Sequence, residues 1–152
     1  MILERAKISD VEYVFELINY YADKGLVLPR SRQSLWENLH ALRVLRIDAE
    51  VKGCALLQIL GSDLVEIRSL AITEELRGCG YGKKIVQELE EEAKKLGIPK
   101  IFTLTYQVDF FKSCSYKIID KETMPQKVWK DCINCLKFPT CDEVAMLKVF
   151  NA

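Results

Sequence analysis

A chain of 152 residues suits one domain with a real core, so a single domain over 1–152 is expected. Hydrophobic residues at 49 % and charged residues at 29 % exclude a disordered chain. Lysine plus arginine and aspartate plus glutamate stand at 22 each, so no nucleic-acid partner is expected, and no apolar run approaches the roughly 18 residues of a membrane span.

The chain starts Met1-Ile2-Leu3-Glu4-Arg5, with an early acid and no apolar leader. A cytoplasmic protein with reduced cysteines is therefore the expectation. Ile2 to Lys7 is a short strand candidate, and Ser9-Asp10-Val11-Glu12 matches a capping box. Val11, Val14, Phe15, Leu17 and Ile18 then recur at helical spacing up to about Ala22, before Gly25. A second helix is predicted from Ser34 to about Ala41, capped by Ser31 or Ser34. Val44 to Ala49 and Gly53 to Leu60 read as strands joined by a turn at Glu50-Val51-Lys52-Gly53. Gly61-Ser62-Asp63 turns the chain again into Leu64 to Ile72, giving an antiparallel meander. Lys83 to Leu96 is an amphipathic helix with Ile85, Val86, Leu89, Ala93 and Leu96 inward, and Glu90 among the residues facing water. Glu90–Lys94 and Glu91–Lys95 are favourable pairs on it. Lys100 to Thr105 is a strand parallel to the one before the helix. A short helix at Asp109 to Ser113 and strands at Tyr116 to Ile119 and Val144 to Phe150 close an α+β fold around one mixed sheet.

Between the third meander strand and its helix lies Arg77-Gly78-Cys79-Gly80-Tyr81-Gly82, followed by Lys83 and Lys84. Alternate glycines let a backbone turn tightly and approach a ligand. A helix N-terminus behind such a turn offers free N–H groups and positive dipole to an anion. The turn lacks the Gly-Lys-Ser/Thr of a P-loop, and the preceding meander does not suit a dinucleotide fingerprint. A plain strand-to-helix connection without ligand is the bland alternative.

Arg77-x-x-Gly80-x-Gly82, with Leu70-Ala71-Ile72 before it and an amphipathic helix after it, resembles the acetyl-CoA motif of the GNAT acetyltransferases. Phe110-Phe111-Lys112-Ser113-Cys114-Ser115-Tyr116 resembles that superfamily's next signature. Leu28-Pro29-Arg30-Ser31, Arg68-Ser69-Leu70-Ala71, Leu104-Thr105 and Met124-Pro125-Gln126 are similar to the acetyltransferase domain of the N-acetylglutamate synthases. The resemblance implies a GNAT fold with a mixed central sheet flanked by helices, and acetyl-CoA as co-substrate. It implies that the backbone of Leu70, Ala71 and Ile72 pairs with the pantetheine arm. It also implies that the amides of Arg77, Gly78, Cys79, Gly80, Tyr81, Gly82 and Lys83 hold the pyrophosphate. Phe111 would stand at the cofactor, where the superfamily usually has a tyrosine that protonates the leaving thiolate. With no hydroxyl there, Tyr106, Thr105, Ser113 or a water is left to act as acid. The acceptor would be a small-molecule amine, glutamate first, for arginine biosynthesis. Another amino acid, a protein amine, or a CoA-binding sensor without turnover are the alternatives. Oligomeric state stays open, a homodimer included.

The charged candidates also have their own chemistry. On a regular strand Val65, Ile67, Ser69 and Ala71 share one face, and Glu66, Arg68, Leu70 and Ile72 the other. Glu66 and Arg68 either pair at a solvated surface or face a cleft. In a cleft, Glu66 would take a proton from the substrate ammonium and Arg68 would fork a carboxylate. Arg30, behind Pro29, is a solvated loop arginine or, by the resemblance, a carboxylate grip; Lys127 has the same two readings. Tyr106 is strand-end packing or the missing acid. Cys132-x2-Cys135-x5-Cys141 offers three thiols where a structural zinc needs four ligands, so no metal is expected. His40 reads as surface and Cys54 as core.

Overall fold

The computed structural model describes residues 2–123 and 143–150. Strand β1 (Ile2–Arg5) leads to helices α1 (Val11–Ala22) and α2 (Arg32–Glu37). The meander follows as β2 (Leu42–Ile47), β3 (Glu50–Gly61) and β4 (Leu64–Ile72), then helix α3 (Tyr81–Lys95) and β5 (Lys100–Thr105). Helix α4 (Val108–Ser113), β6 (Lys117–Ile118) and β7 (Val144–Val149) complete the order expected from the sequence. The strands form one sheet in the order β1-β2-β3-β4-β5-β7-β6. Every neighbouring pair is antiparallel except β4 and β5, which α3 joins as a parallel crossover.

Helices cover both faces. Ile85, Val86, Leu89 and Ala93 of α3 pack on Val65, Ile67, Ile101 and Met146. On the other face Val11, Val14 and Ile18 of α1 and Leu35 of α2 pack on Leu42, Val44, Leu56 and Ala71. Each fully buried leucine or isoleucine contributes about 1.5–3 kcal/mol, so burial rather than surface pairing fixes these helices.

Long-range contacts displace several local expectations. The Ser9–Glu12 capping box does not form: the Lys7 N–H donates to Asp10 Oδ2 at 2.8 Å, and Glu12 pairs with Arg32. Ser31 is the α2 cap, accepting from the Ser34 N–H at 3.0 Å, and the helix gives way to a 3₁₀ turn at Leu39–Ala41. The first hairpin turns at Asp48 and Ala49, both left-handed, so Glu50 to Gly53 belong to β3. Gly53 is needed there because a Cβ would lie 3.2 Å from the Ala71 carbonyl and 3.4 Å from Ile85. Leu96 is exposed, whereas Glu90 is buried, accepting from Tyr116 Oη at 2.9 Å and Lys148 Nζ at 3.0 Å. Glu91 pairs with Lys94 instead of Lys95. The Cys132, Cys135 and Cys141 group, with Met124 to Gln126, lies outside the described residues.

Asp10 ties α1 to the sheet, because Arg46 of β2 reaches both its carboxylate and that of Glu4 on β1. Burial pushes the Asp10 carboxyl up, but the Arg46 guanidinium and the Lys7 N–H outweigh it and hold the group below its usual value. A lowered folded pKa adds stability above the unfolded value and loses it as pH falls through the folded one. Asp10→Asn should therefore cost about 2 kcal/mol at neutral pH. The gap to wild type should narrow in thermal melts taken progressively below pH 4.

Candidate functional site

The chemistry-bearing residues gather where β4 leaves β5. Parallel pairing runs only from Leu64 opposite Lys100 to Ile67 opposite Thr103, and there Thr103 Oγ1 donates to the Ile67 carbonyl at 2.9 Å. Past this point Leu70, Ala71 and Ile72 lie beside β3 alone, while β5 runs on with β7 to Thr105. A slot thus opens between the two C-terminal strand ends, at the edge where ligands of parallel strand pairs bind.

Local backbone chemistry points an anion site at that slot. After β4 the chain makes a 3₁₀ turn at Glu74–Leu76, then passes through Gly78 at φ +79° and Gly80 at φ +85°. Both angles suit glycine, and no neighbouring atom lies where either Cβ would stand, so backbone conformation is their reason. Gly80 is the N-cap of α3, which begins two residues before the expected Lys83. The amides of Tyr81, Gly82 and Lys83 form the first turn and have no helical carbonyl to meet. Arg77, Cys79 and Lys83 are exposed beside them. These residues fit a pyrophosphate: free amides, a positive helix end and flanking cations.

Side chains far away in sequence hold the turn. Tyr20 Oη donates to Glu74 at 2.7 Å, Lys24 bridges to the same carboxylate, and Lys52 pairs with Glu75 at 2.7 Å. Tyr21 Oη donates to the Ile72 carbonyl, and the Arg77 guanidinium sits 5.4 Å from the Tyr21 ring centroid. Nothing local in the sequence announces these anchors, which join Lys52 to a residue 23 positions on and the α1 side chains to residues 50 or more positions on.

The two aromatic residues of α4 divide their work. Phe111 is only 3 % exposed, edge-on to both Phe110 and Tyr116 in the core under α3. Phe110 is the ring against the glycine turn, and a Cβ at Gly82 would lie 3.1 Å from its edge and 3.3 Å from Ile72. Gly82 therefore serves close packing. The aromatic pair was legible, but which ring faces the turn depends on the helix orientation.

On the α1–α2 face of the sheet, Arg68 Nε donates to Glu66 Oε1 at 2.7 Å, with side chains 19 % and 4 % exposed. This is a buried pair, flanked by Gln58 of β3 and Phe102 of β5 opposite Glu66, rather than a solvated one. The regular alternation expected along β4 breaks at Ser69, whose φ is +54°. Leu70 and Ile72 thereby join the α3 side, and Ala71 the side carrying Glu66 and Arg68. Arg30 reaches this break, its Nε donating to Ser69 Oγ at 2.7 Å. Tyr106 is half-buried just past the end of β5. Thr105 Oγ1 accepts the Gln107 N–H at 2.8 Å, and the Ser113 hydroxyl donates to the Phe110 carbonyl. Cys54 is enclosed beneath Ser69, where burial pushes its thiol up to about 12 against the Ala71 N–H and the Arg30 charge. Lys127 lies outside the described residues.

Comparison with known proteins gives this geometry a context. The model of the acetyltransferase (GNAT) family matches residues 12–116. An uncharacterized N-acetyltransferase, CT2212, of Chlorobaculum tepidum is 37 % identical over 146 residues, 96 % of this chain and 94 % of the relative. An amino-acid acetyltransferase of Mycobacterium tuberculosis is 30 % identical over 133 residues, 86 % of this chain and 76 % of its own. The crystal structure of Rv2747 from Mycobacterium tuberculosis, in complex with CoA and NLQ, superposes with a TM-score of 0.84 at 26 % identity, covering 99 % of this chain and 100 % of that one.

The two glycine types predict different mutant behaviour. Gly80→Ala meets no atom and should cost only the left-handed backbone strain, about 1–2 kcal/mol. Gly82→Val must also displace Phe110, so it should lower the melting temperature further and change the near-ultraviolet circular dichroism, which Gly80→Ala leaves intact.

Proposed function

The chain belongs to the GNAT acetyltransferase family, and on that premise we propose that it acetylates the α-amine of an acidic amino acid, glutamate first. It is an acetyl-CoA-dependent N-acetyltransferase. The amino-acid acetyltransferase relative and the resemblance to N-acetylglutamate synthase domains support the amino-acid acceptor. The observation that carries the acidic acceptor is the buried Glu66–Arg68 pair at 2.7 Å, next along β4 to the Ser69 that Arg30 holds. One carboxylate can act as base there while two guanidinium groups grip a substrate with two carboxylates.

Acetyl-CoA, when bound, supplies the acetyl group as a thioester. The first-turn amides of α3, from Tyr81 to Lys83, with Arg77 beside them, would hold its pyrophosphate. The open edge of Leu70, Ala71 and Ile72 would hold the arm and direct an amide at the thioester oxygen. Phe110, against Gly82, walls the slot in place of Phe111.

The acceptor ammonium has no lone pair until it loses a proton, and Glu66 takes that proton, directly or through water. Arg68 donates to Glu66 in the resting site, and an incoming acceptor carboxylate on Arg68 would draw part of that positive charge away from the base. On transfer the nitrogen would bond to the acetyl carbon as the carbon–sulfur bond broke, its second proton would pass to water, and Tyr106 would give the departing sulfur a proton and recover one from solvent. Lys127 is a third candidate grip.

Glu66→Gln should lower kcat by about 10²–10⁴-fold, with acetyl-CoA affinity within about twofold of wild type by titration calorimetry. Thiol release across an amino-acid panel tests the acceptor: equal rates with glutamate and neutral amino acids would refute the acidic reading. Tight acetyl-CoA binding with no thiol release on any amine would instead identify a sensor.

A further inference from the structure

Ser69 stands where the donor and acceptor sides of the site meet. Its φ of +54° is left-handed, a conformation that serine adopts at a cost. Arg68 and Ala71 of β4 pair with Leu56 and Cys54 of β3, so three steps along one strand match two along the other. Such a bulge leaves main-chain groups outside the ladder. The Cys54 thiol takes up one of them, donating to the Ser69 carbonyl at 3.5 Å. From the other side Arg30 Nε donates to Ser69 Oγ at 2.7 Å. Arg30 is itself fixed, its terminal nitrogen donating to Ser34 Oγ at 2.9 Å and its carbonyl accepting from Asn19 Nδ2 at 3.0 Å. One residue therefore shapes the open edge of β4 with its main chain and orients an arginine with its hydroxyl.

We infer that Ser69 is a positioning residue that couples acceptor recognition to the acetyl-CoA slot. Its hydroxyl aims Arg30 at the acceptor carboxylate, and its left-handed backbone sets the edge formed by Leu70, Ala71 and Ile72. The first half rests on the acidic acceptor proposed above; the second half does not. Two substitutions separate the halves. Ser69→Gly keeps the left-handed backbone without strain and deletes the hydroxyl. Ser69→Val opposes the left-handed backbone with a β-branched side chain.

Acetyl-CoA affinity by titration calorimetry and acceptor KM by thiol release are measured on the full chain. Ser69→Gly is expected to bind acetyl-CoA within twofold of wild type, with KM for glutamate raised about tenfold and kcat within threefold. Ser69→Val is expected to bind acetyl-CoA at least tenfold more weakly. An unchanged KM in Ser69→Gly, or the same acetyl-CoA affinity in all three proteins, overturns the inference. Should Ser69→Val not fold by circular dichroism, Ser69→Thr, which is β-branched in the same way, replaces it; wild-type acetyl-CoA affinity in that variant overturns the inference, and weakened affinity supports it. If wild type acetylates no acidic amino acid, the acceptor reading falls by itself, and the acetyl-CoA affinities decide the backbone half alone.

Discussion

Strand β4 changes its neighbours halfway along, and the arrangement of the site follows from that change. Up to Ile67 it is an ordinary interior strand, hydrogen-bonded to β3 on one side and β5 on the other. At Ser69 an extra residue enters the β3 ladder, and the β5 ladder has already ended. An interior strand cannot leave its backbone groups without partners. Thr103 meets the carbonyl at the point of divergence, and the Cys54 thiol meets the Ser69 carbonyl inside the bulge. With those groups satisfied, the strand can keep one edge open without unravelling the sheet, and that edge is where an extended ligand can be held like an additional strand.

A slot of this kind works only if the turn beyond it is fixed in place. Burial alone would let α3 slide, since the apolar residues it packs on the sheet, Ile85, Val86, Leu89 and Ala93, are all aliphatic. Two polar arrangements prevent that. Near its middle, Glu90 receives Tyr116 Oη and Lys148 Nζ, and Lys148 also reaches the Cys114 carbonyl, joining α3 to β7 and to the end of α4. Burial, reinforced by the Glu90 charge, pushes the Tyr116 hydroxyl well above its usual value and keeps it a donor. At the N-terminal end, Gly82 lets Phe110 approach the first turn. The segment leading into the turn is held from α1 by Tyr20, Tyr21 and Lys24. The positive end of α3 is thus aimed by contacts to both sides of the sheet.

Most of the architecture was legible in the residue pattern because its signals are local. The periodicities of α1 and α3, the turn at Ser62 and Asp63, and the glycine turn before α3 each sit within one short stretch. What local pattern could not disclose depends on partners far along the chain. Asp10 rather than Ser9 caps the first turn because Arg46 also needs it. Glu90 reads as a solvated helix residue until Lys148 and Tyr116 are brought beside it. Asp48 and Ala49 make a hairpin turn without glycine, so that signal pointed two residues downstream. The alternation along β4 shows no break in sequence, because a serine gives no warning of a left-handed bulge.

The residue that departs from the family pattern also has a packing explanation. Phe111 is enclosed between the rings of Phe110 and Tyr116, both edge-on at about 5 Å, under a helix whose neighbouring residues are aliphatic. Aromatic rings in this arrangement gain from edge-to-face contact, and a hydroxyl among them would need a partner of its own. In this cluster the buried acceptor, Glu90, already receives Tyr116 and Lys148. A phenylalanine therefore serves the core at that position, and the acid proposed above belongs to another element. Ser113 commits its hydroxyl to the Phe110 carbonyl. Thr105 accepts the Gln107 N–H and is nearly buried. Tyr106, half-buried just past the end of β5, is the acid proposed above.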